Sequence, residues 1–207
     1  MDENILILYC NSYGNINNIN DEYKFNKVNA MFSEIQNKLK SVNKKYSIID
    51  INSLNFIKVQ DLSRKSTNSK DDKEEEKRIS LSNRNFTLSE SDLNSCMKAI
   101  KESKILIFVF PIINGSCPSK LTMFIETCMT IENSFNNKQV YSNGPYKGKK
   151  ACVIGFTDYS IDDYSYKGKF ILSLDEIIEH FTHGVLALLG FSVIKNYFIY
   201  KNSHEFE

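Results

Sequence analysis

Apolar and polar positions divide the chain into alternating predicted strands and helices. Apolar runs at Ile5–Cys10 and Ile105–Phe110 predict strands that are covered on both faces, as in a parallel sheet. Tyr46–Ile51 predicts another strand. Between the predicted strands Ile5–Cys10 and Tyr46–Ile51, apolar residues repeat with helical spacing. They are Val28, Met31, Phe32, Ile35 and Leu39. A helix of that length allows a right-handed crossover, so these two strands should be parallel neighbours.

The second half of the chain continues the alternation. A short helix is expected after Ser89, and another starts with Pro118 at its first position. Ala151–Thr157 and Val193–Tyr200 predict the last two strands, separated by a long helix that ends at Gly190. That helix opens with the capping box Ser173-x-x-Glu176. The pattern predicts one α/β domain over 1–207, a doubly wound, five-stranded parallel sheet in three α-β-α layers with the flavodoxin-like order 2-1-3-4-5.

A charged segment at about 61–90 interrupts this pattern. Lys70–Arg78 is nine consecutive charged residues within a stretch rich in Ser and Asn. Such composition is typical of a solvated or disordered insertion. The alternative is a lid that contacts a partner.

Composition narrows the classes of function. The chain has 207 residues, a formal net charge of +1 and 42% hydrophobic residues, which gives no basis for nucleic-acid or membrane-surface binding. Its apolar runs are much shorter than the roughly 20 residues that cross a bilayer, and its N-terminus does not resemble a signal peptide. The five cysteines are scattered, without a CxxC pair, so neither disulfides nor a zinc site are expected. These features favour a cytoplasmic protein.

The candidate chemistry lies where predicted strands end, because ligands of open parallel sheets bind at the carboxyl ends of strands. The loop Asn11–Asn20, with Ser12, Asn17 and Asn18, precedes a helix and could hold a phosphate, although an ordinary turn is the alternative. In the turn Pro111–Cys117, Asn114 and Gly115 can adopt positive φ and expose backbone N–H groups to a flavin edge. The alternative there is an ordinary βα turn. The third loop expected at this edge of the sheet is 157–169, which follows the predicted strand Ala151–Thr157.

Other side chains carry weaker signals. His180 and His183 lie three residues apart without a carboxylate or Cys partner, which indicates surface or dimer-contact residues rather than a metal site. Asp162 and Asp163 are best explained as a solvated loop. The sequence contains no G-x-S-x-G, P-loop or G-x-G-x-x-G motif, so hydrolysis, NTP hydrolysis and a Rossmann dinucleotide site lack support.

Three motifs carry a resemblance to a known family. PIINGSCPSKL at Pro111–Leu121 resembles the strand-three signature of flavodoxin-like NAD(P)H:quinone oxidoreductases and FMN-dependent azoreductases. Gly144-Pro145 with Gly148-Lys149-Lys150 resembles the entry of these families into strand four. HFTHGVLALLGFSVIKNYFIY at His180–Tyr200 is similar to their closing helix, glycine and strand.

The resemblance implies a homodimeric flavoenzyme with FMN, or alternatively FAD. A hydride would pass from NAD(P)H to flavin N5, and two electrons would then reach a small-molecule quinone, azo or nitro acceptor. By resemblance, Asn11, Ser12, Asn17 and Asn18 face the phosphate, and Pro111, Ile112, Ile113, Asn114 and Gly115 line the ring. Thr157, Asp158 and Tyr159 lie at its far edge, with Tyr159 the candidate proton donor or stacking group. The alternative is a non-catalytic or degenerate flavodoxin-fold binding protein or electron carrier.

Overall fold

The computed structural model describes residues 4–11, 19–58, 86–129 and 139–201. Its strands are β1 (Ile5–Tyr9), β2 (Tyr46–Asp50), β3 (Ile57–Lys58), β4 (Phe86–Thr87), β5 (Ile105–Pro111), β6 (Lys150–Phe156), β7 (Ser192–Val193) and β8 (Tyr197–Ile199). Its helices are α1 (Ile19–Ser41), α2 (Glu90–Glu102), α3 (Ser119–Cys128), α4 (Leu174–Ile177) and α5 (Glu179–Phe181), followed by a π-helical segment (Thr182–Ala187). Short 3₁₀ helices lie at Ile51–Ser53, Tyr141–Asn143 and Ile161–Tyr164.

The main sheet confirms the predicted fold class. Its strands run β2-β1-β5-β6-β7, all parallel, and β8 also pairs with β6. Counted by the predicted strands, this is the order 2-1-3-4-5. The sheet nevertheless has six strands rather than the predicted five.

The extra strand arises because the predicted strand Val193–Tyr200 is interrupted. Between β7 and β8, the side chain of Asn196 replaces a backbone partner: its Oδ1 accepts the N–H of Val153 at 3.3 Å. Its Nδ2 donates to Asp175 Oδ1 at 3.0 Å. A side chain that forms the ladder bond turns the backbone of residue 196 away from β6, which splits the strand in two.

Alternation along β1 divides the core into two layers. Leu6, Leu8 and Cys10 point into a cluster with α2, α3 and the 174–187 helical region. Ile5, Ile7 and Tyr9 point to the opposite face, where α1 packs. This period of two is what a strand buried on both faces requires.

Two predicted helices differ in detail. Pro118 is the N-cap of α3 rather than its first helical residue, because its ψ of 143° is extended. The predicted long helix over 174–189 is divided at Ile178, whose φ of −93° and ψ of 8° are not helical, and continues as the π-helical segment. The Ser173–Glu176 capping box is present, and Gly190, with φ of 98°, ends the helical region as expected.

The predicted insertion at 61–90 ends earlier than expected. Residues 61–85, including Lys70–Arg78, lie outside the described part of the chain. Phe86–Thr87 form β4, which pairs antiparallel with β3, and Ser89 caps α2 by accepting the N–H of Asp92. Within the described ranges, no helix has the length and apolar character needed to cross a membrane.

Candidate functional site

The carboxyl ends of β1, β5 and β6 lie side by side. The Cys10 N–H donates to the Val109 carbonyl at 2.9 Å, which joins the ends of β1 and β5. The Ile112 N–H donates to the Phe156 carbonyl at 2.7 Å, which joins the ends of β5 and β6. The three loops predicted to carry the chemistry therefore start from neighbouring points of one sheet edge, where ligands of this class of fold bind.

A tight turn at Ile113–Ser116 occupies the centre of this edge. Ile113 and Ser116 exchange two backbone hydrogen bonds, at 2.9 and 3.0 Å. Asn114 and Gly115 between them have φ of 51° and 72°, which confirms the positive φ expected for both and defines a type I′ turn. In such a turn the two central N–H groups form none of the turn's own hydrogen bonds, so they are available to a ligand.

Burial separates the residues predicted to line the flavin ring. Pro111 and Ile112 are buried, and Ile112 belongs to the core. Ile113 and Gly115 are half-buried, and Asn114 is exposed. Only the last three residues can offer surface to a ring, while the first two hold the turn on the sheet.

The start of the first loop is fastened to α1. Asn11 is buried, and its Nδ2 donates to the Phe25 carbonyl at 3.1 Å and to Asn29 Oδ1 at 3.2 Å. The Tyr9 hydroxyl donates to the same Asn29 oxygen, and burial raises the pKa of Tyr9 to about 12. These contacts orient α1 against β1. Ser12, Asn17 and Asn18 lie outside the described residues, so the phosphate role of all four stays a prediction.

The third loop is built around aromatic rings. Thr157 is buried, and its Oγ1 lies 2.7 Å from the hydroxyl of Tyr164. Tyr164 stacks on Phe170, and burial raises the pKa of its hydroxyl. Tyr159 packs edge-on against the same Phe170 and remains 39% exposed. Thr157 therefore supports the loop from inside, whereas Tyr159 reaches solvent.

Charged groups surround this loop. Lys169 Nζ lies 4.4 Å from the centre of the Tyr159 ring, a cation–π contact. Hydrogen bonds from the Ser160 side chain and backbone hold the pKa of Asp163 below its ordinary value. Just after β8, the Lys201 carbonyl accepts a hydrogen bond from Lys27 of α1 at 2.8 Å. Burial lowers the pKa of Lys27, and the Asp158 carboxylate acts in the opposite sense.

A hydrogen-bonded pair that the sequence did not predict lies beside the turn. Ser116 Oγ is 3.2 Å from His180 Nε2, and His180 Nδ1 is 3.0 Å from the Ile177 carbonyl. A carbonyl oxygen only accepts, so a neutral His180 carries its proton on Nδ1, and Nε2 accepts the Ser116 hydroxyl. The two residues are 64 positions apart in the chain, and a contact of that separation leaves no local signal. The sequence alone indicates only a surface or dimer-contact role for His180.

Within the described ranges, no three His, Cys, Asp or Glu side chains cluster as ligands for a metal ion. The groups described at the site are backbone donors, aromatic rings, amide and hydroxyl groups, and the charged side chains around the third loop. Such a set suits an organic ligand that is held by shape and hydrogen bonds.

A family model described as the flavodoxin-like fold matches residues 4–207. The chain belongs to this family. This flavodoxin-like protein is 28% identical over 113 residues to NAD(P)H dehydrogenase [quinone] 1 of Cavia porcellus, a match that covers 55% of this chain and 41% of that protein. The chain thus spans about two fifths of the curated relative it matches.

Solved structures share the fold of this flavodoxin-like protein. A Klebsiella pneumoniae protein, provisionally assigned as a quinone reductase, matches with a TM-score of 0.66 and 14% identity over 98% of this chain and 77% of that one. NAD(P)H:quinone oxidoreductase of Methanothermobacter marburgensis has a TM-score of 0.56 and 15% identity, over 99% and 87%. The FMN-dependent NADH-azoreductase of Bacillus anthracis, solved with FMN, has a TM-score of 0.51 and 15% identity, over 96% of this chain and 86% of that one. The resemblance to these families that the sequence motifs indicated is confirmed.

Proposed function

We propose that this flavodoxin-like protein is a flavin-dependent NAD(P)H oxidoreductase that reduces quinone, azo or nitro acceptors by two electrons. The observation that carries the proposal is the type I′ turn at Asn114-Gly115, placed at the carboxyl end of β5 with two backbone N–H groups outside the turn's own bonds. The names of the relatives support the proposal, since they include quinone reductases and an FMN-dependent azoreductase.

The described residues fit the ring of a flavin. Ile113, Asn114 and Gly115 would hold its polar edge through backbone donors, and Asp158 and Tyr159 would border its far edge. The turn is held rigidly enough for this role because Gly155 lets Ile112 pack closely on β6: a Cβ at Gly155 would lie 2.9 Å from Ile112 Cδ1. We propose FMN as the cofactor, with FAD as the alternative.

The flavin would supply the redox chemistry when bound, taking two electrons from NAD(P)H and passing them to the acceptor. The protein's part is to orient both substrates and to stabilise charge that develops on the ring, which the N–H groups of Asn114 and Gly115 can do. Tyr159 is exposed at the loop after β6, where its hydroxyl can donate a proton or its ring can stack on an acceptor.

An absorbance experiment tests the proposal. The purified protein is incubated with FMN or FAD, freed of unbound flavin and titrated anaerobically with NADPH and with NADH. We expect a retained flavin band that bleaches with the reductant and returns when menadione, a quinone, is added. A folded protein by circular dichroism that retains neither flavin would contradict the proposal and favour the non-catalytic alternative.

The role of Tyr159 has its own test. Tyr159→Phe removes the hydroxyl and keeps the ring, whereas Tyr159→Ala removes both. A proton donor predicts slower acceptor reduction in both variants, and a stacking group predicts a loss in the Ala variant alone. Wild-type turnover by both variants would remove Tyr159 from the mechanism.

A homodimer is part of the proposal. The loop after β6 exposes large apolar side chains, namely Ile161 (62%), Tyr166 (87%), Ile171 (59%) and Leu172 (45%). Contiguous apolar surface marks contact sites, and we propose that these side chains form such a surface. Light scattering should give a dimer mass for the wild type and a lower association constant for Tyr166→Ser. A monomer at micromolar concentration with flavin bound would refute the dimer and leave the flavoenzyme proposal in place.

A further inference from the structure

A cavity of about 380 Å³ lies between α3 and the 174–187 helical region, next to the turn. Ile125, Phe181 and Leu188 form apolar walls, and the hydrogen-bonded pair Ser116 and His180 stands at its polar end. The volume lies within the range of sites for small organic ligands, about 300–1,000 Å³. Both helical elements cover the same face of the sheet, so residues of one chain line the cavity, which opens to solvent.

The backbone around this cavity departs from a regular helix. Thr182–Ala187 is π-helical, with the Leu188 N–H bonded to the His183 carbonyl at 3.3 Å. Such segments occur frequently at functional sites. Within the segment lies Gly184, which lines the cavity, and a Cβ added there would meet no atom within 4 Å. A wider helix turn with a glycine at the wall keeps this space open.

The chemistry of the lining indicates which ligand fits. None of the lining residues is Lys or Arg, and Glu126 adds an acidic group, so phosphates and carboxylates are disfavoured. The walls favour a flat apolar molecule. At the polar end, the Ser116 hydroxyl donates to His180 Nε2, so Ser116 Oγ can accept a hydrogen bond from a ligand hydroxyl.

We infer that this cavity is a binding site for an uncharged aromatic molecule of one or two rings that carries a hydroxyl group at one end. That hydroxyl would donate to Ser116 Oγ, and the rings would pack on Ile125, Phe181 and Leu188. The site is separate from the phosphate loop and from the third loop. Binding does not require a flavin, so this inference can fail or hold independently of the proposed function.

The test uses 1-naphthol as the probe, because its fluorescence reports binding and it does not add to thiols such as Cys117, as a quinone would. Naphthalene and 1-naphthoate serve as competitors, and titrations are made without flavin and with saturating FMN. We expect 1-naphthol to bind under both conditions. Naphthalene, which lacks the hydrogen bond, should bind about three- to tenfold more weakly, and 1-naphthoate should not compete.

Variants locate the binding. Gly184→Leu should fill the cavity and weaken 1-naphthol binding about tenfold or more, whereas Glu179→Leu, an exposed position outside the lining, should leave it unchanged. Gly184→Ala adds one methyl group and should weaken binding only slightly. The double variant Ser116→Ala/His180→Phe, which removes both polar groups, should make 1-naphthol and naphthalene bind equally well. This variant also keeps the test decisive if circular dichroism shows that Gly184→Leu does not fold.

Three results would overturn the inference. The first is that 1-naphthol does not bind up to its solubility limit. The second is that it binds with the same affinity to the wild type, Gly184→Leu and the double variant Ser116→Ala/His180→Phe, which would place it elsewhere. The third is that Gly184→Leu shifts a dimer to a monomer in light scattering while 1-naphthol does not bind, which would assign the cavity to a second copy of the chain.

Discussion

Gly115→Ala should damage the turn at the centre of the proposed site. With φ of 72°, residue 115 is in the left-handed region, which costs a residue with a Cβ roughly 1–2 kcal/mol relative to glycine. A Cβ would also lie 3.3 Å from Ile177 Cγ2, so α4 must give way by a few tenths of an ångström. We expect a loss of about 1–3 kcal/mol in the free energy of unfolding, equivalent to about 2–12 °C in Tm at this chain length.

Urea unfolding followed by circular dichroism measures this loss, and FMN affinity measures the displacement of the turn. Gly115→Asn is the matched control for conformation, because Asn tolerates the left-handed region better than Ala. Ile177→Ala removes the contacted methyl group, so a double-mutant cycle separates the steric part from the conformational part. A change in unfolding free energy below about 0.5 kcal/mol, the usual range of neutral surface substitutions, together with unchanged FMN affinity would refute the reasoning.

Three further predictions concern contacts elsewhere in the fold. Gly144→Ala should lower Tm more than Gly115→Ala in a thermal melt. The added Cβ would lie 2.5 Å from the Leu189 carbonyl oxygen, a backbone atom with little freedom to move. An unchanged Tm would show that the loop around Gly144 is free to shift. Asn196→Ala should cost about 1–3 kcal/mol in urea unfolding, since it leaves the Val153 N–H without its acceptor. Asp175→Ala, which removes only the exposed partner of Asn196 Nδ2 and keeps that acceptor, should cost less. The pKa of Asp163 is lowered in the folded state, so its ionised carboxylate stabilises the fold at pH values above the unfolded pKa. This stabilisation is lost as the pH falls through the folded pKa. The Tm difference between wild type and Asp163→Asn should therefore be largest near pH 7 and vanish in acid, and a difference that persists in acid would contradict this linkage.

The main lines of the fold could be predicted because they depend on local patterns. The apolar runs of β1 and β5 and the Ser173–Glu176 capping box are each encoded within a few residues, and the structure confirms them. The split between β7 and β8 could not be predicted, because it depends on Asn196 reaching Val153, 43 residues away in the chain. A periodic apolar pattern also cannot distinguish a straight α-helix from one that widens into a π-helical segment.

In the candidate site, too, the features that local sequence encodes could be predicted, and those that depend on distant residues could not. Asn-Gly is a strong local signal for a turn with positive φ, and the Ile113–Ser116 turn adopts that conformation. Burial of Pro111, Ile112 and Thr157 depends on neighbouring strands and on Tyr164, so the sequence could mark these residues as close to the site but could not assign which of them reach solvent.

The packing of the cysteines has a practical consequence. Cys10, Cys96, Cys128 and Cys152 are buried, and burial raises the pKa of Cys10 to about 12 and of Cys152 to about 11. Cys117 alone among the five is partly accessible, and it lines the cavity beside Ser116. The native chain therefore contains a single-site label position, without any engineered mutation. A thiol-reactive fluorophore at neutral pH would report directly on whether that cavity is open, filled or covered.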